Sequence, residues 1–285
     1  MNTIKLRHSI EQFFMEDIGD GDQTSDSIFE RHQQGTIHFA AKEDGIFAGG
    51  QVITTGYNIL SSSVACDVHV LDGEAVEEGQ TIATANGPIA CLLTGERVIL
   101  NLIQRMSGIA TLTHSAVQSL HSPHTRICDT RKTIPGLRMF DKYAVRAGGG
   151  YNHRNGLYDA VMIKDNHIAF AGSIEKAVQM VRDQVGHMVN IEVETETAQQ
   201  VLEAVELQVD CIMFDNCSPH QVEQFAGLVP PSITTEASGG ITLDRLQDFR
   251  HTGVDYISLG CLTHSPKALD ISARVHIDEN RRLSE

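Results

Sequence analysis

The sequence predicts an α/β protein whose second half is a closed α/β barrel, preceded by a smaller α+β domain. Three observations carry this. From about residue 159 onward, short apolar runs alternate with stretches of helical period, the pattern of strand–helix units on a parallel sheet. Each of the better-defined runs has its apolar residues early and a charged or small polar residue at its C-terminal end, the end at which α/β barrels build ligand sites. The first hundred or so residues lack that alternation and show period-two patterning broken by turns.

The elements follow in order. In the first part, residues 35–47 and 64–84 alternate as strands do, with turns at Leu71-Asp72-Gly73 and Glu77-Glu78-Gly79, and a helix falls around Tyr57 to Leu60. Gly95-Glu96-Arg97 opens a long helix through Leu102, Met106 and Ile109 that crosses into the second part. There, residues 159–164 form a strand and residues 173–185 a helix with Ile174, Ala177, Val178 and Val181 on one face. The next strand is 190–194, followed by a helix with Ala198, Val201, Leu202 and Val205 in register. Strand 211–215 leads to Ser218-Pro219, an N-cap followed by proline at the first helical position. Strand 233–237 runs into Ser238-Gly239-Gly240, a helix runs from Thr242 to near Gly253, and strand 255–260 closes the series. Domain boundaries are expected at 1–110 and 111–268, with 269–285 returning to the first domain. Periodicity does not give strand order, so an open doubly wound sheet is the alternative to a barrel.

Composition excludes several functions. Of 285 residues, 37 are acidic and 22 basic, a formal net charge of −15, which argues against holding nucleic acid or an anionic membrane by bulk electrostatics. The N-terminal residues mix Lys5, Arg7, His8 and Glu11 with apolar ones and lack a signal peptide's apolar core; no apolar run approaches the ~18 residues of a membrane span. Six cysteines without a CxxC pair read as reduced thiols of a cytoplasmic protein.

The positive charge is concentrated. Arg126, Arg131, Lys132, Arg138, Lys142, Arg146 and Arg154 stand against only Asp129 and Asp141, a local net charge of +5 in an acidic chain. With Pro135-Gly136, Gly148-Gly149-Gly150 and His153-Arg154 in the same window, the expectation is a site for a small, strongly anionic ligand. Strand alternation adds a second set: Glu192 shares a face with Glu194, Lys164 with Met162, Asp215 with Met213, and Glu236 with Thr234 and Ser238. Glu194 and Asp215 are suited either to Mg²⁺ or to stabilising positive charge on a sugar, and Ser238-Gly239-Gly240 to cradling a phosphate.

Taken together, the segments EDIGDGDQTS (16–25), GERVILNLIQRMSGIAT (95–111), DTRKTIPGLR (129–138), KYAVRAGGGYNHRNGLYDAVMIKDNHI (142–168), IEVET (191–195), FDN (214–216), EASGGIT (236–242) and GCLTHS (260–265) resemble the quinolinate phosphoribosyltransferases across nearly the whole chain. Departures are small: Cys217 follows FDN where an aromatic is usual, and Met106 replaces a leucine. The resemblance implies an N-terminal open-faced α/β sandwich, a C-terminal barrel of fewer than eight regular strands, and a homodimer with shared active sites. It implies conversion of quinolinate and phosphoribosyl pyrophosphate to nicotinate mononucleotide, pyrophosphate and CO₂, with Mg²⁺. By resemblance, Arg131, His153 and Arg154 bind the two carboxylates with Thr130 and Lys164 nearby, and Arg97 is contributed across the dimer. Lys132 serves the pyrophosphate, Glu194 and Asp215 the metal and ribose, and Ser238, Gly239, Gly240, Gly260 and His264 the phosphates. The complete basic set Arg131, Lys132, His153, Arg154 and Lys164 favours a dicarboxylate over the acceptor of a molybdenum-operon relative; a catalytically silent phosphate-binding barrel is the reading from another class.

Overall fold

The computed structural model describes residues 1–30 and 32–276. In chain order the elements are α1 (Thr3–Ile18), α2 (Ser25–Ile28), β1 (Gln34–Ala41), β2 (Gly45–Ile46), α3 (Gly50–Leu60), β3 (Ala65–Val68), β4 (Ala75–Val76), β5 (Thr81–Pro88) and α4 (Ile89–Leu120). There follow β6 (Arg126–Cys128), α5 (Arg138–Ala147), β7 (Val161–Ile163), α6 (Asp165–Ala171), α7 (Ile174–Arg182), β8 (Ile191–Thr195), α8 (Ala198–Glu206), β9 (Cys211–Asp215) and α9 (Pro219–Ala226). The chain ends with β10 (Thr234–Ser238), a 3-10 helix (Leu243–Phe249), β11 (Tyr256–Ser258), α10 (Cys261–His264) and β12 (Ile271–His276). The chain divides into two compact units, one of Met1–Leu112, Pro135–Gly149 and the residues from Pro266, the other of Thr113–Ile134 and Gly150–Ser265.

The first unit is an antiparallel sheet in the order β12-β1-β5-β3, with α1 packed on α3 and α3 on β3. Alternation along β1 turns Ile37, Phe39 and Ala41 inward, and the i, i+4, i+8 stripe Leu6, Ile10 and Phe14 buries one face of α1. Each such large side chain removed from water contributes about 1.5–3 kcal/mol. Asp72 starts α3 by accepting the Gly49 and Gly50 N–H groups at 2.8 and 2.9 Å, and Tyr143 O–H donates to its other oxygen at 2.6 Å. Helix α5 is tied to α4 by a bidentate pair in which Arg105 donates to the fully enclosed Asp141 at 2.8 and 2.9 Å. The return of the chain is a strand, β12, paired with β1 from Thr36↔His276 to Ala41↔Ile271; expectations for residues beyond 276 lie outside the described residues. The structure adds α1, α2 and α5 to the expected elements of this unit. It also starts α4 at Ile89, six residues before Gly95, because β5 ends in Pro88 and a proline just before a helix leaves its first turn intact.

The second unit is a single parallel sheet in the order β6-β11-β10-β9-β8-β7. Neighbours run consecutively from β7 to β11, and the last strand then pairs with the first, Ile257 opposite Ile127. An open doubly wound sheet reverses its progression at a switch point; this order only advances and returns to its start, which is the order of a barrel. At the β6–β7 seam, Tyr151 forms a parallel bridge with Cys128: its N–H donates to Ile127 O at 2.8 Å and its O accepts from Asp129 N–H at 3.1 Å. Thr197 and Ser218 begin α8 and α9 with capping boxes closed by Gln200 and Gln221, and Ser173 caps α7. Thr197 and Ser218 lie two and three residues beyond the ends of β8 and β9, which puts strand ends and helix starts at one mouth, while α6 intervenes between β7 and Ser173. The element expected from Thr242 to Gly253 is the shorter 3-10 helix, and its Thr242 makes no side-chain cap.

Candidate active site

Strand alternation, applied to six strands around one axis, converges on a cavity of about 540 Å³ at the C-terminal ends of the barrel strands. Every strand contributes to it: Thr130, Arg131 and Lys132 after β6, Met162 and Lys164 from β7, Glu194 from β8, Met213 and Asp215 from β9, Glu236 and Ser238 from β10, and Ser258 from β11. Side chains of all six strands facing one space is the mark of closure. His153 and Arg154 from the seam, Asn216, Gly239 and Gly240 complete the lining.

One side of the cavity is cationic. Burial first, and then the like charge of Arg131, depress the Arg154 guanidinium from its ordinary value against the opposing pull of Glu192 and Asp159, so an anion placed beside both arginines would be favoured. The Arg154 side chain is aimed by its guanidinium Nη1 donating to Ala160 O at 3.0 Å. The loop bearing it is held by the buried Asp129, which accepts from Asn152 Nδ2 at 2.6 Å and from His153 N–H at 2.9 Å. Facing it across the strand ends, Lys164 Nζ donates to both oxygens of Glu194 at 2.9 and 3.2 Å, and Asp215 accepts from Asn216 Nδ2 at 2.7 Å. Asn216 takes φ 53° and donates its N–H to Ser238 O at 2.9 Å; Gly239 and Gly240 follow at φ 84° and 64°. A Cβ on Gly239 would meet the Asn216 side-chain amide, and its backbone N at 2.8 Å, so this crossing of two loops requires glycine.

The surroundings of His153 are acidic: Glu236 lines this cavity and Glu192 the neighbouring one. His153 Nε2 stands 3.0 Å from Glu192 and 3.6 Å from Glu236, with the three side chains' ligating atoms all within 4.8 Å of one another. The other ring nitrogen, Nδ1, accepts the Arg154 N–H at 2.7 Å. Burial and the Glu192 carboxylate, partly offset by His153, push the Glu236 carboxyl up to about 7.

Most of the expected site residues are therefore in one place: Thr130, Arg131, Lys132, His153, Arg154, Lys164, Glu194, Asp215, Ser238, Gly239 and Gly240. Gly260 and His264 are at the rim, where a Cβ on Gly260 would lie 2.9 Å from the Lys132 side chain and 3.2 Å from His264. Thr263 Oγ1 donates to Lys132 O at 2.9 Å and joins the same rim. Arg97 lies in the first unit on α4, exposed, 3.6 Å from Glu96. The basic window as a whole does not belong to the site. Arg126 starts β6 at the opposite end, its guanidinium 4.8 Å over the Tyr151 ring, while Arg138, Lys142 and Arg146 lie on α5 in the first unit. Gly148 and Gly149 terminate α5, Gly149 at φ 88°, and do not line the cavity.

With this geometry in place, the comparisons are specific. The family models described as quinolinate phosphoribosyl transferase, N-terminal and C-terminal domain, match residues 22–107 and 109–274. The chain belongs to the quinolinate phosphoribosyltransferase family. Among its relatives, a Bacillus subtilis protein described as a probable carboxylating nicotinate-nucleotide pyrophosphorylase is 57% identical over 275 residues, covering 96% of this chain and 95% of that one. Quinolinate phosphoribosyltransferase (decarboxylating) 1b of Nicotiana tabacum is 40% identical over 96% of this chain and 83% of its own. The solved structure of NadC from Streptococcus pyogenes superposes with a TM-score of 0.93 at 38% identity, covering 97% of this chain and 98% of that one.

For a quinolinate phosphoribosyltransferase-family barrel, sequence reasoning reads the faces of Glu192 and Glu236 but gives neither a site role, and it leaves out the loop anchors Asp129 and Asn152. The signal for the two acids is present: each lies two residues before an expected site residue, Glu194 and Ser238, and so on the same face. Asp129 and Asn152 adjoin Thr130 and His153 but carry no periodic signal.

Proposed function

We propose that this chain transfers the phosphoribosyl group of phosphoribosyl pyrophosphate to the ring nitrogen of quinolinate and releases CO₂, giving nicotinate mononucleotide and pyrophosphate in NAD biosynthesis. The observation that carries the reading is the pairing, in one cavity of about 540 Å³, of a cationic wall (Arg131, Lys132, Arg154) with the carboxylates Glu194 and Asp215. The cationic wall suits a dicarboxylate, because guanidinium forks match carboxylates in two-point geometry. The carboxylates suit the ribose, which gains positive charge at C1′ as pyrophosphate leaves.

The steps follow from these positions. Arg131, Arg154 and the neighbouring His153 hold the two carboxylates of quinolinate, so that two anionic substrates are brought together without their mutual repulsion opposing attack. Lys132, the Ser238-Gly239-Gly240 loop, Gly260 and His264 take the phosphates. Lys164, bound to Glu194, releases it toward the ribose by turning to the anions. Once the ring nitrogen is alkylated, the pyridinium accepts the electron pair left at C2 when CO₂ departs.

The donor set fits Mg²⁺. Glu194 and Asp215 are hard oxygen donors at the ends of adjacent strands, and this ion is held by one or two carboxylates with water and substrate phosphates filling its shell. When bound, it neutralises charge on the departing pyrophosphate. Arg97, exposed on α4, is available to a second copy, and the reading includes a homodimer whose sites are completed that way. Six free cysteines suit the reducing cytoplasm, and among the described residues no helix is long and apolar enough to cross a membrane. Incubation of the purified protein with quinolinate, phosphoribosyl pyrophosphate and Mg²⁺ tests the reading: nicotinate mononucleotide and CO₂ form only when both substrates are present. Full activity in EDTA would remove the metal from it.

A further inference from the structure

The reaction leaves one proton without a donor. As the bond from C2 to the carboxylate breaks, its electron pair stays on C2, and the product carries hydrogen there. Most groups lining the cavity are poor sources. Arginines keep their protons at any ordinary pH. Lys164 donates to both oxygens of Glu194 and, once turned to the substrate anions, is held there as an ammonium, and Asp215 accepts from Asn216. His153 turns one ring nitrogen to the Arg154 N–H and the other to Glu192.

Glu236 is different. It sits on the cavity face of β10, 4% exposed, and its Oε1 is buried without a well-formed hydrogen bond among the described residues, the nearby polar group being the Ser258 hydroxyl, itself buried and unpaired. Its Oε2 is 3.6 Å from His153 Nε2 and 3.9 Å from Cys128 Sγ. An ionised carboxylate with one oxygen enclosed and unsatisfied costs more than the neutral acid in the same place. The groups that face it are Glu192 from β8, His153 and Asp129 from the seam, Cys128 from β6, Cys211 from β9 and Ser258 from β11. Glu236 also borders a second cavity of about 290 Å³ toward the N-terminal ends of the strands, lined by Asn190, Thr234 and Tyr256, so it is reached from both ends of the barrel.

We propose that Glu236 is the acid that protonates C2 as CO₂ departs, an inference that rests on the function proposed above. The C2–carboxylate bond breaks, CO₂ leaves without the pair, the Glu236 O–H bond breaks and a C2–H bond forms. The Glu236 carboxylate then takes one proton from water through the second cavity. The acid form is consistent with the carboxyl's position near 7.

The test is a rapid-quench single turnover of the full-length protein with quinolinate, phosphoribosyl pyrophosphate and Mg²⁺, resolving quinolinate, its mononucleotide and nicotinate mononucleotide. Glu236→Gln copies the shape and charge of the acid but has no acidic proton. It should form quinolinate mononucleotide at the wild-type rate, accumulate it, and release CO₂ about 10²- to 10⁴-fold more slowly, the usual range for a lost general acid. Glu236→Asp should recover part of that loss. CO₂ release by Glu236→Gln at the wild-type rate, or equal slowing of both steps with no accumulation, overturns the proposal. Should Glu236→Gln fail to fold, the wild-type enzyme decides: its CO₂-release step falls as pH rises above about 7 while the transfer step does not, and a flat profile overturns the proposal. If the wild-type enzyme makes no nicotinate mononucleotide, the function itself is wrong, an outcome distinct from loss of the Glu236 role.

Discussion

Arg131 and Arg154 share a cavity close enough for their like charges to oppose each other, and that is the strongest residue-scale statement about the ligand. Removing either by Arg131→Ala or Arg154→Ala deletes a charge-assisted contact to a carboxylate, about 1.5–3 kcal/mol. Steady-state kinetics should show kcat/KM for quinolinate lower by about 10- to 100-fold, since each ~1.4 kcal/mol is tenfold; unchanged turnover would place the carboxylates elsewhere. Glu194→Ala and Asp215→Ala should abolish nicotinate mononucleotide formation in the same assay. At this scale the sequence is most informative where chemistry and alternation coincide. Lys164, Glu194 and Asp215 each lie within one residue of a strand's C-terminal end, so period two alone sends them to the mouth. Arg126 and Arg138 look equally basic in the chain yet do not line the cavity, because charge density along a sequence does not say which end of a strand, or which unit, a side chain occupies.

Elements position the site through their junctions. The loop after β9 and the loop after β10 cross at Asn216 and Gly239, so Gly239→Ala should force them apart and raise KM for phosphoribosyl pyrophosphate more than KM for quinolinate, measurable by varying each substrate in turn. Thr197 caps α8 outside the cavity; Thr197→Ala should lower stability by about 1 kcal/mol in urea titration and leave kcat unchanged. Helices of the second unit are legible in advance because caps and apolar stripes agree there: Ser173, Ser218 and Pro219 mark starts that the structure keeps. Three elements resist sequence reading for different reasons. Strand β6 is three residues long, too short to show a period. In α1 the apolar stripe is one residue wide amid Lys5, Arg7 and His8, and α5 hides its buried face under Asp141 and Lys142.

Across the whole molecule, titration sets two opposing pH windows. Backbone and side-chain hydrogen bonds hold Asp22 below the ordinary carboxylate range, Lys267 does the same for Glu43, and at Asp159 hydrogen bonds overcome the opposing effect of burial. Their stabilising effect is present above the unfolded carboxylate range and is lost as pH falls through their folded values. Glu236 has the opposite sign. The folded chain keeps its proton up to about 7 while the unfolded chain releases it near 4.5, so its contribution is full below 4.5 and declines as pH rises through 7. Thermal unfolding should therefore give a lower midpoint at pH 8 than at pH 5.5, and Glu236→Gln should flatten that decline; an equal decline in the variant would assign it to other groups. Strand order is the whole-molecule property that periodicity leaves open, because closure depends on β11 meeting β6 across 127 and 257, a pairing with no local signature.

The measurement that tests the account most directly is product formation from the two anionic substrates together. Purified protein incubated with quinolinate labelled at its C2 carboxylate, phosphoribosyl pyrophosphate and Mg²⁺ should release labelled CO₂ and nicotinate mononucleotide in equal amounts, and nothing when either substrate is omitted. Tight binding of both substrates with neither product formed would contradict the account and leave a silent phosphate-binding barrel in its place.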